Sequence, residues 1–143
     1  MFGKRYRPMA APPEVAGSGV QTPYLAVLAH NDSLRAMLTD GLRLSQVGQV
    51  HAYSSLQELT DAKAEFDALI IDLDLPVTDG LAICTAQRKR APQLTILAMS
   101  ARSGMSQRVA ALNAGADQFL EKPVSQPELL AGLRRGLARG RYF

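Results

Sequence analysis

Ala68-Leu69-Ile70-Ile71-Asp72-Leu73-Asp74-Leu75-Pro76-Val77-Thr78-Asp79-Gly80 is an apolar run of strand length that stops at a carboxylate and turns at once. A run without polar alternation predicts a strand covered on both faces, as in a parallel sheet flanked by helices. Pro76 to Gly80 ends it, because proline cannot continue a central ladder and Asp-Gly favours a turn. Asp72 therefore falls at the carboxyl end of a buried strand, where open α/β sheets place their ligand chemistry. A plainer reading stays open at this point: Asp72 as no more than the cap of the helix that begins near Gly80.

Two later segments bear on that choice. Leu94-Thr95-Ile96-Leu97-Ala98-Met99-Ser100-Ala101 is a second apolar run, ending in a small hydroxyl residue. Gln118-Phe119-Leu120-Glu121-Lys122-Pro123 is a third, shorter strand, ending in a lysine followed by proline. If the three strands lie parallel, Asp72, Ser100 and Lys122 converge on one edge of the sheet. A carboxylate, a hydroxyl and an ammonium there form an anion-handling site: a nucleophile, a hydrogen-bond donor and a positive charge.

With those residues in place, the chain resembles the receiver domain of bacterial two-component response regulators. The resemblance runs from about Pro23 to Leu137. It rests on the D-x-x-L-P-x-x-D-G segment from Asp72, the strand ending Ser100-Ala101, the Asn113-Ala114-Gly115-Ala116-Asp117 corner and the Lys122-Pro123 pair. The resemblance implies that Asp72 is a phosphoacceptor, that Ser100 and Lys122 contact the phosphoryl group, and that Phe119 is an aromatic that changes rotamer on activation. It also implies a histidine kinase as phosphate donor.

One departure matters as much as the match. Receivers normally carry two acidic residues just after the first strand, where they hold a divalent cation. Here the strand Tyr24-Leu25-Ala26-Val27-Leu28 is followed by Ala29-His30-Asn31-Asp32-Ser33-Leu34-Arg35, which places Ala29 and His30 in the acidic positions. Magnesium takes near-octahedral oxygen ligands and usually binds through carboxylates, phosphate oxygens and waters. Phosphoryl transfer rests largely on positioning and charge neutralisation, with the metal central to both. The ligands left for Mg2+ are Asp72 and Asp74, the latter expected to turn toward solvent. Asp32 reads as an N-cap, with Asn31 and Ser33 as rivals. Weak or absent magnesium binding and slow metal-assisted phosphorylation are expected. His30 has two readings: an imidazole that supplies charge or senses pH near Asp72, or a structural loop residue bonded to Asp72 or a backbone carbonyl. The structural one is the expectation.

The 143 residues are long enough for one domain with a proper core. No apolar stretch reaches the roughly 20 residues of a membrane span. The N-terminus lacks a signal-peptide core, so a cytoplasmic location is expected. The single cysteine, Cys84, excludes an internal disulfide and reads as a packing residue. The net charge of +3 is concentrated at the ends: residues 1–19 and 134–143 together carry seven basic side chains against one acid. Residues 1–22 read as a disordered, basic, Pro/Ala-rich tail, 23–139 as the receiver-like domain and 140–143 as a short tail.

The expected elements are strands at 24–29, 47–53, the run to Asp72, the run to Ser100, and the short run from Gln118 to Lys122. Between and after them come helices at 33–45, from the Ser55-Leu56-Gln57-Glu58 capping box, at 80–90, at 105–114, and after Ser125-Gln126-Pro127-Glu128. Five strand–helix repeats with short connections predict an α/β fold, a doubly wound five-stranded parallel sheet of flavodoxin-like (βα)5 form. Its strand order, 2-1-3-4-5, is carried over from that fold. No P-loop, dinucleotide fingerprint or zinc spacing appears.

The functional expectation is a non-enzymatic signalling module that switches a partner surface, chiefly the face of helix four, strand five and helix five. A pseudo-receiver that works by protein–protein contact is preferred over a working phosphoreceiver. A second class stays open: binding of a cyclic dinucleotide, nucleic acid or acidic partner through Arg134, Arg135 and Arg139, since arginine's planar fork suits phosphate groups. Against it stands a solvated helix end whose cations complement the dipole. A flavodoxin-type enzyme finds little support, as no flavin-phosphate loop follows the first strand.

Overall fold

Burial on both faces explains why the strands read as unbroken apolar runs. A computed structural model describes residues 22–102 and 104–139. The elements alternate as β1 (Tyr24–Leu28), α1 (Asp32–Ser45), β2 (Gln49–Tyr53), α2 (Leu56–Ala62) and β3 (Ala68–Asp72), then α3 (Gly80–Arg90), β4 (Thr95–Ser100), α4 (Met105–Asn113), β5 (Gln118–Glu121) and α5 (Gln126–Arg139). The five strands form one sheet in the order β2-β1-β3-β4-β5, and all pair in parallel. The predicted fold class and strand order hold. The expected tails at 1–22 and 140–143 lie, apart from Thr22, outside the described residues.

Alternation along each strand sends side chains to two separate cores. Tyr24, Ala26, Leu28, Leu69, Ile71, Ile96 and Ala98 pack with Leu59 of α2, Ile83 and Cys84 of α3 and Ala111 of α4. Leu25, Val27, Ile70, Leu97 and Met99 pack with Leu38 and Leu42 of α1 and with Leu129, Leu133 and Leu137 of α5. Helices thus cover both faces, two on one and three on the other. Every residue of β1, β3 and β4 is buried. The edge strand β2 keeps only Val50 fully buried, which is why its sequence looks polar.

Local chemistry sets the ends. Asn31, not Asp32, caps α1: its Oδ1 accepts the Leu34 N–H at 2.8 Å. Asp32 is instead the first helical residue, where its charge complements the dipole and pairs with Arg35 at 2.7 Å. Gln46 closes α1 in the left-handed region, at φ 55, so β2 starts two residues later than the apolar pattern suggests. The α2 capping box is shifted by one. Ser55 Oγ accepts the Glu58 N–H at 3.1 Å, but Glu58 reaches back to the N–H of Ser54, at 2.7 Å, rather than that of Ser55. Asp79 Oδ1 caps α3 by accepting the N–H groups of Leu81 and Ala82, at 3.0 and 3.3 Å. The plainer reading of Asp72 as that cap is therefore excluded. Among the described residues no helix is long and apolar enough to cross a membrane.

Candidate functional site

The reversal of strand order on either side of β1 opens a crevice at the carboxyl edge of the sheet, and β3 delivers Asp72 to it. Parallel pairing continues one residue past the strands. Leu73 N–H donates to the Met99 carbonyl at 2.8 Å, and Lys122 N–H donates to the Ser100 carbonyl at 2.9 Å. This register brings Asp72, Ser100 and Lys122 to one rim, as the strand ends predict. The Lys122–Pro123 peptide is cis.

The Lys122 ammonium lies 2.8 Å from Asp72 Oδ1 and 3.2 Å from Asp74 Oδ2. Asp72 is almost fully buried, with 3% of its side chain exposed, and its Oδ1 also accepts the Asp74 N–H at 2.9 Å. That short turn folds the chain back over the rim. Asp74, expected to face solvent, keeps 27% of its side chain exposed but bonds across the rim. Its Oδ1 accepts the Ser100 hydroxyl at 2.8 Å and its Oδ2 accepts the Ala101 N–H at 2.7 Å. The energetic reason is replacement of water by one ammonium and two aligned donors, and hydrogen bonds to charged groups are about twice as strong as neutral ones.

The two charges shift each other. Burial works to raise the Asp74 carboxyl, but its bonds from Ala101, Ser100 and Lys122 hold it below the usual carboxylate value. Burial likewise works to lower the Lys122 ammonium, and its bonds to Asp72 and Asp74 raise it above the ordinary lysine value. The rim is a fixed charge cluster of one cation and two anions.

The β1 end supplies no carboxylate to this cluster. Ala29 is buried, while His30 is exposed. The anticipated bond between His30 and Asp72 is not formed: among the described residues the imidazole makes no hydrogen bond or ion pair to Asp72. Arg35, which sequence reasoning did not single out, occupies this corner. Its guanidinium donates to the carbonyls of Ala29 and His30 at 2.9 and 3.0 Å and pairs with Asp32. The i,i+3 spacing of Asp32 and Arg35 hints at that pair, but nothing local hints at the two carbonyls. Among the described residues no group of three or more His, Cys, Asp or Glu side chains is arranged to hold a metal ion.

Phe119, from β5, is buried in the core on the α2–α3–α4 side, and the Arg108 guanidinium of α4 lies 5.3 Å from its ring centre. Arg108 has no signal in the sequence, because its partner is eleven residues away on another element. Cys84 is fully buried, and burial pushes its thiol up to about 11, consistent with a packing role. The C-terminal arginines divide. Arg134 and Arg135 are exposed on α5, whereas Arg139 is bound at 3.2 Å to Asp117, whose other oxygen holds Arg88 at 2.9 Å. The three do not form one unpaired patch.

The family model described as the response regulator receiver domain matches residues 27–134. The chain is 36% identical over 123 residues to the transcriptional regulatory protein PrrA of Mycobacterium leprae, covering 85% of this chain and 53% of that protein. It is 47% identical over 73 residues to the response regulator MprA of Mycobacterium avium, covering 51% of this chain and 32% of that protein. The chain therefore spans about half or less of the length of these curated relatives. Among solved structures, the response regulator DrrB of Thermotoga maritima superposes with a TM-score of 0.77 at 22% identity, over 84% of this chain and 54% of that one. The signal receiver domain of an HD domain-containing protein from Pseudomonas fluorescens gives 0.77 at 21%, over 86% and 100%. At these identities the two structures speak to the fold alone. The matched family model, laid over a rim where Asp72, Ser100 and Lys122 meet, shows that the chain belongs to the response regulator receiver domains of two-component signalling.

Proposed function

We propose that this chain is a pseudo-receiver: a non-enzymatic signalling module that acts by protein–protein contact, without magnesium-assisted phosphorylation of Asp72. The observation that carries the reading is the Lys122 ammonium, 2.8 Å from Asp72 and shared with Asp74, beside a β1 end that offers only Ala29 and His30. Magnesium demands near-octahedral oxygen ligands. Both rim carboxylates already share the Lys122 ammonium, and the Asp74 oxygens are taken by Ser100 and Ala101 as well. This donor set does not fit the ion.

The partner surface in this reading is the face of α4, β5 and α5. Met105, Val109 and Leu112 recur along one side of α4 and are 72%, 43% and 43% exposed, which supports an apolar docking face. Calorimetry with magnesium and beryllofluoride, a phosphoryl mimic, tests the proposal on the wild-type chain. No saturable heat is expected at millimolar magnesium. Tight uptake of the mimic, or phosphate transfer from a histidine kinase that disappears in Asp72→Ala, would restore a working phosphoreceiver.

A further inference from the structure

Three donors from two different strand ends converge on the Asp74 carboxylate. They are the Ser100 hydroxyl at 2.8 Å, the Ala101 N–H at 2.7 Å and the Lys122 ammonium at 3.2 Å. Their sequence separations from Asp74 are 26, 27 and 48 residues, so the pocket is built by the fold and not by a local turn. A hydroxyl, a backbone N–H and an ammonium aimed at one point are what a tetrahedral oxyanion takes. Ser100 has no proton to spare for another ligand. Its side chain is buried, its hydroxyl is given to Asp74, and its oxygen accepts the Arg102 N–H at 3.0 Å.

We infer that Asp74 is a resident anion, which fills with its own carboxylate the oxyanion pocket that Ser100, Ala101 and Lys122 build beside Asp72. The pocket is thereby held in its anion-bound arrangement without a phosphoryl group, and a solute anion is excluded. This rests on the receiver reading of the same rim and adds how that rim is regulated. Charge supports the exclusion: two carboxylates share one ammonium, so a further anion meets a net negative cluster. Access supports it too. An open groove of about 590 Å³, with Asp74, Thr78, Ala101, Arg102 and Gln107 on its walls, leads from solvent to the carboxylate. A small anion can therefore reach the Ala101 end of the donor set, where the Asp74 carboxylate stands in its way.

Removing that carboxylate should open the site to inorganic phosphate. The test is a phosphate titration of the full chain, wild type and Asp74→Ala, followed by the Ala101 amide in nitrogen–proton correlation spectra with a metal chelator present. In the wild type the Ala101 amide should not respond. In the variant it should shift on loss of its acceptor and then move back saturably, with an apparent affinity at least about tenfold above wild type. Asp74→Ser, which keeps a polar group in the loop, should respond in the same way and covers a folding defect in the first variant. An equal response in wild type and variants would mean that Asp74 does not fill the pocket. Silence in both folded variants would mean that the donors form no oxyanion site. The chelator separates this outcome from the magnesium experiment, which can fail or succeed on the wild type without moving this one.

Discussion

Ser100 donates its one hydroxyl proton to Asp74, across 2.8 Å and from a different strand end. A serine at the end of a buried strand would otherwise be an idle donor beside Asp72. Here it is part of a closed chain of bonds from the Arg102 N–H through Ser100 to Asp74 and on to Lys122 and Asp72. At its buried members, Asp72 and Ser100, such a network is stabilising only while every polar group is satisfied.

Lys122→Met tests that condition. The substitution leaves Asp72, with 3% of its side chain exposed, without its counter-charge. Breaking a buried pair from one side typically costs about 3–5 kcal/mol, mostly from the charge left behind. A loss near the lower end, about 3 kcal/mol, is expected because Asp72 keeps the Asp74 N–H as a donor. Adding Asp72→Asn to Lys122→Met should recover most of it, since the stranded charge is then gone. Urea titrations of the two singles and the double give the coupling. Strict additivity would show that the pair carries no energy of its own.

Val77 supplies a prediction of opposite sign. It sits in the left-handed region at φ 62, and its side chain is fully exposed. A β-branched residue there is strained by about 1–2 kcal/mol, and no burial is gained in exchange. Val77→Asn should therefore stabilise the fold by about 1 kcal/mol, because asparagine tolerates this conformation. A thermal melt that is unchanged or lowered in the variant would show that the turn is not strained.

The contrast between these two sites says what is legible in a sequence. Asp72, Ser100 and Lys122 can be read because each closes an apolar run, and parallel pairing then forces them to one edge. The helix caps at Ser55 and Ser125 can be read because capping is local to three or four residues. The direction of Asp74 cannot, since all three of its donors are far away in the chain and only the assembled sheet brings them near. The same holds for Arg35 over the Ala29 and His30 carbonyls, and for Arg139, whose exposed position in the helix conceals its pairing with Asp117. Val77 is illegible for another reason. Its φ is imposed by the fold against its own preference, so its residue type points the wrong way.

Gly136 separates helix propensity from packing. It lies on α5 facing β4, where a Cβ would press against Thr95 Cγ2 and come within 2.6 Å of Thr95 Oγ1. Thr95 is itself buried and has little room to yield. On propensity alone, replacing a helical glycine gains stability. Overpacking a full core costs about 1–3 kcal/mol, so Gly136→Val should lose about 2 kcal/mol net. The denaturation midpoint decides by its direction, and a rise would show that α5 can move off the sheet at no cost.

His51 governs part of the response to acid. Its ring stacks on Tyr24 with centroids 5.5 Å apart, and its Nε2 is buried with no hydrogen-bond partner among the described residues. Burial, and then the neighbouring Arg43 charge, lower its pKa from the ordinary value of 6.5. The folded state therefore resists protonation more than the unfolded chain does. As pH falls through 6.5, the unfolded state takes up the proton first, and stability declines until the lowered folded value is passed. Above 6.5 both states are neutral and this loss is absent. His51→Phe keeps an aromatic ring against Tyr24 and removes the titration. Wild type should lose more unfolding free energy than the variant between about pH 7.5 and about pH 5.5, and the carboxylates common to both cancel in the difference. Equal losses in the two proteins would place the acid sensitivity elsewhere.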